Sequence, residues 1–435
     1  MTIFPFSEQR EILPYLVKWL VLGALVALLA GSASALFLFS LDLVTAWRAL
    51  HPWIIWLLPL AGFAVGLLYM HVGGSVEAGN NLLLDEIHDP KKIIPLRMAP
   101  LVFFGTVMSH LFGASVGREG TAVQMGGALA DQLSLILRLP QLQRRLLLMA
   151  GISAGFASVF GTPLAGALFG LEVLAIGRMR YDAILPCFIA AILADQVGLL
   201  WGVHHTHYVV SFVPLLTIWT LLAVLVAGVL FGFVGMLFAT ATHTVSDFIK
   251  KHIPYAPYRP LLGGVVVALA VWLLGTQHYV GLGIPTIVAS FDHPLPWFDF
   301  IGKMAFTVTS LGTGFKGGEV TPLFYIGATL GNALAPLLHL PFSMLAGVGF
   351  VAVFAGAANT PIASTIMAIE LFGPAIGPYA ALACIISYLF SGHTGIYRSQ
   401  RVGHAKHRII PEGLKLGEIS AFWRTKNEND TINKP

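Results

Sequence analysis

Two short polar stretches stand 200 residues apart in this chain, Gly117-Arg118-Glu119-Gly120-Thr121 and Gly317-Gly318-Glu319-Val320-Thr321. Each leads into an apolar run with a matched pair, Gly127-Ala128 and Gly327-Ala328. A second echo follows at nearly the same offset: Thr162-Pro163-Leu164-Ala165 through Leu171-Glu172-Val173 against Thr360-Pro361-Ile362-Ala363 through Ile369-Glu370-Leu371. A chain that repeats in this way builds two similar halves. Gly and Pro interrupt backbone hydrogen bonding that lipid cannot replace, so breaks inside apolar sequence must be shielded by protein or line an aqueous cavity. Paired breaks, each carrying a carboxylate where a helix should begin, are the pattern of a secondary transporter or channel.

The solvent follows from composition. Hydrophobic residues make up 56% of the chain and charged residues 11%, against roughly 25% charged in a soluble domain. Apolar stretches at 15–47, 52–72, 212–239 and 343–372 meet or exceed the ~20 residues that span a bilayer as helix. Gly31-Ser32-Ala33-Ser34-Ala35 imitates a signal-peptidase site, but the apolar run continues to Trp47, so the segment reads as an uncleaved first membrane helix. The expectation is an all-α polytopic membrane protein.

The chain carries 25 basic and 21 acidic residues. The tail 398–435 holds 8 and 4 of them, which leaves the remainder neutral at 17 against 17. That tail, with Lys91, Lys92 and Arg97 in one loop and Arg138, Arg144 and Arg145 in another, is expected on the cytoplasmic side. No basic and aromatic cluster points to nucleic acid. Cys187 and Cys384 lie in corresponding apolar spans and imply neither a disulfide framework nor a metal site. The halves are placed at 12–203 and 209–397, joined around His204-His205-Thr206-His207.

Segments 98–112, 122–137, 282–291 and 320–337 are too short or too broken for simple spans. A helix that begins inside the membrane aims unpaired N–H groups and its positive dipole end at the break, which suits an anion. Gly117, Gly120, Gly317 and Gly318 let backbone come close to such an ion. Gly79-Asn80-Asn81-Leu82 is a third candidate helix start, with Asn80 as an amide donor. Glu119 reads as a proton-operated gate: ionised it takes the anion's place, and protonated it leaves.

In this order and spacing, Gly79-Asn80-Asn81, Gly117-Arg118-Glu119-Gly120, Gly318-Glu319-Val320-Thr321-Pro322 and the late Tyr397 resemble the CLC family of anion channels and anion/proton antiporters. The resemblance covers about residues 12–400. It implies two inverted-topology repeats of broken and tilted helices, and a homodimer with one pore per subunit. Its departures from the chloride-transporting members resemble the fluoride/proton antiporter branch: Asn80 in place of the usual serine, Thr121 in place of proline, and Glu319 and Thr321 in a filter that is usually apolar.

That resemblance implies export of fluoride across the bacterial inner membrane against inward protons, with no cofactor. Glu119 is then the proton-accepting gate, and Asn80 and Tyr397 flank the central anion site. Backbone near Gly79, Gly117, Arg118, Gly120, Gly318, Glu319 and Val320, with Thr321, completes it. Fluoride is small and strongly hydrated, so a site that strips its water must return short, strong hydrogen bonds. The chloride exchangers use an inner glutamate where this chain has Val173, so an inward proton route through that residue is not expected. Glu172 and Glu370, at matching places, are expected to bond loop N–H groups.

Several features have plainer readings. His204, His205 and His207 are expected in a loop between the halves rather than around a metal, and Asp85, Glu86, His88 and Asp89 in a solvated loop. Phe315 and Phe324 are expected to pack. Arg118 and Lys316 flank the filter segments as attractors of anions. A chloride or nitrate exchanger or a channel of the same family is the nearest alternative. An intramembrane hydrolase is the remote one, since neither a His-Glu-x-x-His zinc pair nor a nucleophile elbow is expected here.

Overall fold

Helices account for the apolar sequence, and their lengths repeat. The computed structural model describes residues 7–407, 410–423 and 425; the remainder of the tail expected at 398–435 lies outside the described residues. In the first half α1 (Ser7–Leu50) and α2 (Leu58–Leu68) are followed by the short α3 (Asn80–His88), α4 (Met98–Phe112) and α5 (Glu119–Ile136), then α6 (Gln141–Phe160), α7 (Pro163–Glu172) and α8 (Ile184–Leu200). The second half runs α9 (Ile218–His252), α10 (Tyr258–Leu274), α11 (Ile284–Asp292), α12 (Asp299–Thr313), α13 (Val320–Leu338), α14 (Phe342–Ala358), α15 (Pro361–Phe372) and α16 (Gly377–Phe390). The pairs α3 and α11, α4 and α12, and α5 and α13 match within a residue in length. Between α8 and α9 lies the expected irregular connection with its histidines.

Among the described residues, five helical stretches are long and apolar enough to cross a membrane, Glu11–Leu50 and Ile218–His252 among them. α1 passes without interruption through the small-residue segment at 31–35. Two expectations need correcting. The stretch 343–372 is two helices, because Asn359 turns left-handed at φ 58° and Pro361 starts α15. Asp85, Glu86 and His88 belong to α3, and Glu86 is buried, accepting from the amides of Lys91 and Lys92 and from Arg144. Arg144, expected in a cytoplasmic loop, is likewise buried in the first turn of α6, where Asp131 receives two of its N–H groups at 2.6 and 2.8 Å. Each charge is tolerated at depth because it is paired and hydrogen-bonded.

Glycines bring the central helices together. Gly126 of α5 lies against Gly151 of α6, and Gly327 of α13 against Gly349 of α14. A side chain at any of these points would meet the facing backbone, so small residues permit the close crossings that stand in for hydrophobic driving force in lipid. The chain closes with β1 (Ala175–Ile176) and β2 (Arg401–Val402), a short parallel pair that fastens the tail beside the end of α7.

Candidate functional site

The two filter stretches meet at the centre of the molecule. Gly117 and Gly318 exchange backbone hydrogen bonds of 2.6 and 2.8 Å in an antiparallel bridge, as two copies related by an inverted two-fold must do. The glycines serve this meeting as much as any ion: a Cβ on Gly117 would stand 2.9 Å from the Gly318 carbonyl oxygen, and one on Gly318 would stand 2.7 Å from the Gly120 nitrogen. From the bridge α5 and α13 lead away, so both helices present their N-termini at one place.

Glu119 is fully buried, and its carboxylate reaches across to the other half. Oε2 accepts from the amide of Thr321 at 3.1 Å and from the amide of Arg118 at 3.1 Å, and Oε1 accepts a short hydrogen bond from the Thr321 hydroxyl. The Arg118 guanidinium stands 3.5 Å away. A carboxylate thus sits at the first turn of α13, where helix dipole and free donors favour negative charge.

Below it lies an open cavity of about 280 Å³, lined by Asn80, Thr121, Gln124, Lys316, Glu319 and Tyr397 among others. Gly79, at φ 58°, caps α3 and turns Asn80 toward Gly120; the Asn80 amide nitrogen is 3.1 Å from where a Gly120 Cβ would be. Asn80 Oδ1 and Glu319 Oε2 are buried with no hydrogen-bond partner, and Glu319 also borders Gly120. The expected residues Gly79, Asn80, Gly117, Arg118, Glu119, Gly120, Gly318, Glu319, Val320, Thr321 and Tyr397 therefore converge on one locus. Thr321, expected as an anion donor, donates to Glu119 here.

Two lining residues, Thr106 and Gln124, escaped the sequence reading. Thr106 and Thr121 pair their hydroxyls at 2.6 Å, and Gln124 faces Gly79. Gln124 stands three residues beyond Thr121 on α5, and residues one turn apart share a face, which is the signal that would have found it; Thr106 offers none. Lys316 is drawn inward, with its ammonium 4.0 Å from the centre of the Tyr69 ring. Val173 borders a narrow cleft of about 10 Å³ with Leu83, Val123, Ile152 and Phe169, which Asn80 and Tyr397 also line; it is too small for a chain of waters.

The other expectations resolve locally. Glu172 accepts from the amides of Ile362 and Ala363, and Glu370 from those of Leu164 and Ala165, so each half caps a helix of the other. Phe324 stacks on Phe350 at 3.9 Å between centroids. His205 turns toward Asp195, 3.9 Å away. The letters Gly-x-Ser-x-Gly do occur, at 113–117 and 151–155. However, Ser115 is bound to Thr307 and Ser310, and Ser153 lies inside α6 with its hydroxyl on the Ala167 carbonyl, so neither forms a strand-to-helix elbow.

Known proteins resemble this chain in sequence and fold. The sequence model described as voltage gated chloride channel matches residues 61–392. A chloride/fluoride channel protein of Pseudomonas syringae pv. tomato is 68% identical over 97% of this chain and 95% of its own length. An H(+)/Cl(-) exchange transporter of Cronobacter sakazakii is 29% identical over 81% of each chain. Among solved structures, a CLC-type fluoride/proton antiporter superposes with a TM-score of 0.87 at 36% identity, over 89% of this chain and 98% of that one. By these matches the chain belongs to the CLC family of voltage-gated chloride channels and their transporter relatives.

Proposed function

We propose that this protein exports fluoride across the bacterial inner membrane in exchange for inward-moving protons, as a homodimer with one pathway in each subunit. The observation that carries the reading is the seat of Glu119. Its carboxylate takes the amide and hydroxyl of Thr321 that a dehydrated anion would otherwise take. Ionised, it excludes the anion by charge and by occupancy. Protonated, it loses both advantages and yields these donors, so anion entry and protonation of Glu119 are linked.

Fluoride suits the remaining groups. Thr321 and Asn80 offer short neutral donors, and a solved relative at 36% identity is described as a fluoride/proton antiporter. Glu319 Oε2 is an acceptor without a donor; carrying a proton, it would donate to a bound anion. Fluoride, the base of a weak acid, accepts such a bond far more strongly than chloride does. With the Val173 cleft too narrow for a chain of waters, protons released from Glu119 or Glu319 leave through the inner cavity. The subunit holds every group of the pathway, which supports one pore per chain. The repeats at 12–203 and 209–397, followed by a cytoplasmic tail at 398–435, are part of the same reading.

Proteoliposomes loaded with fluoride or chloride, with proton uptake followed during anion efflux, test it. The native chain is expected to release fluoride with proton uptake and chloride slowly, and Glu119→Gln to lose or uncouple transport. Equal chloride flux would remove the fluoride assignment. Fluoride flux without proton movement would leave a passive channel, as the name of the 68% identical relative suggests for that protein.

A further inference from the structure

The loop that carries Tyr397 is anchored from two directions, and one of the anchors is unexpected. On the second half, the Ile396 amide donates to Ala357 O at 2.9 Å, His243 bonds the Gly395 carbonyl at 2.9 Å, and Arg398 pairs with Asp247. On the first half, the Ser399 amide donates to Asn81 Oδ1 at 2.9 Å. Asn81 is the neighbour of Asn80 in the first turn of α3, behind the left-handed Gly79. Successive helix residues point about 100° apart, so Asn80 can face Gly120 while Asn81 faces the tail.

We infer that Asn81 is a positioning residue that sets the gap between Asn80 and Tyr397, and thereby couples the two side chains at the inner end of the pathway. This rests on the reading of those two residues as the inner walls of the anion site. Without Asn81 the Tyr397 loop remains fastened to α9 and α14, which belong to the second half, but nothing of comparable proximity holds it to the turn that carries Asn80. The ion pairs of Lys415 with Asp85 and of Arg401 with Asp89 also link the tail to α3 and its C-terminal end, yet they stand a turn or more beyond Asn81 and are partly exposed, where such pairs are weak. A change of one angle at Gly79 would then move Asn80 and leave Tyr397 behind.

The test is a double-mutant cycle in proteoliposomes, reading fluoride turnover and the ratio of protons to fluoride. Asn81→Ala is expected to slow fluoride efflux by about fivefold, the worth of one neutral hydrogen bond, and to lower the proton-to-fluoride ratio. In a Tyr397→Phe background the same substitution should add less than a further twofold, because residues that act through one contact are not additive. Asn81→Asp, which keeps the acceptor for Ser399, should restore the ratio, whereas a merely structural role would change protein yield and leave the ratio alone. Native rate and ratio in Asn81→Ala, or an undiminished effect in Tyr397→Phe, overturns the inference. Native behaviour of Tyr397→Phe itself overturns the reading of Tyr397 and the inference together, so the two failures are told apart.

Discussion

Glu172 and Glu370 show how single residues hold the halves together. Each carboxylate satisfies two amides at the start of a helix in the opposite half, at distances of 2.7–3.1 Å. Such amides cost free energy when buried without partners. Replacing Glu172 with Ala is therefore expected to destabilise the protein by about 2–3 kcal/mol, read as a lower unfolding temperature in detergent, with the proton-to-fluoride ratio of the surviving protein unchanged. A changed ratio with native stability would make Glu172 part of the transport path instead. The pairing role was legible from the matching positions of the two residues. The buried cluster of Arg144, Asp131 and Glu86 was not, because its members stand 13 and 58 residues apart and no helical period links them.

At the level of elements, the breaks matter more than the spans. Helix starts at Asn80, Glu119 and Val320 follow from glycine and from the end of apolar periodicity, and they stand where the sequence places them. What the helices pack against is decided by small residues. Gly151→Ala would push a methyl group toward the Gly126 carbonyl at 2.5 Å, and a cost of about 1–3 kcal/mol follows from overpacking. Gly198 of α8 has no heavy atom nearer than 3.8 Å to a prospective Cβ, so Gly198→Ala should be neutral or slightly stabilising. Thermal unfolding of the two variants side by side checks this; an equal gain in both would show that helix propensity, and not the crossing, governs both positions.

For the whole molecule, the path is assembled at the junction of the halves, and the tail completes it. After α16 the chain returns to place Tyr397, then fastens itself with Gln400, whose side chain bonds Asn359, Val173 O and Ala358 O. The outer fastenings are exposed ion pairs, such as Arg401 with Asp89. The guanidinium holds the Asp89 carboxyl below the usual carboxylate range, so this contribution is complete above about pH 4 and is lost as pH falls below it. The share of the tail's protease protection that this pair supplies is expected to stay flat from about pH 8 to 5. High salt should weaken it only slightly, while Gln400→Ala exposes the tail at neutral pH. Release of the native tail by salt alone would show that the exposed pairs are the true latch.

The lipid solvent, the repeated motifs, the starts of the broken helices and the carboxylates at two of them were legible from composition, spacing and local backbone chemistry. It takes the folded chain to pair Gly117 with Gly318, to rest Glu119 on the helix of the other half, to bury Glu86 and Arg144, and to bring Asn81 to the tail. Those contacts join residues from 58 to 318 positions apart. Helical periodicity reports which face of a segment is apolar, and it carries no information about which distant segment that face will meet.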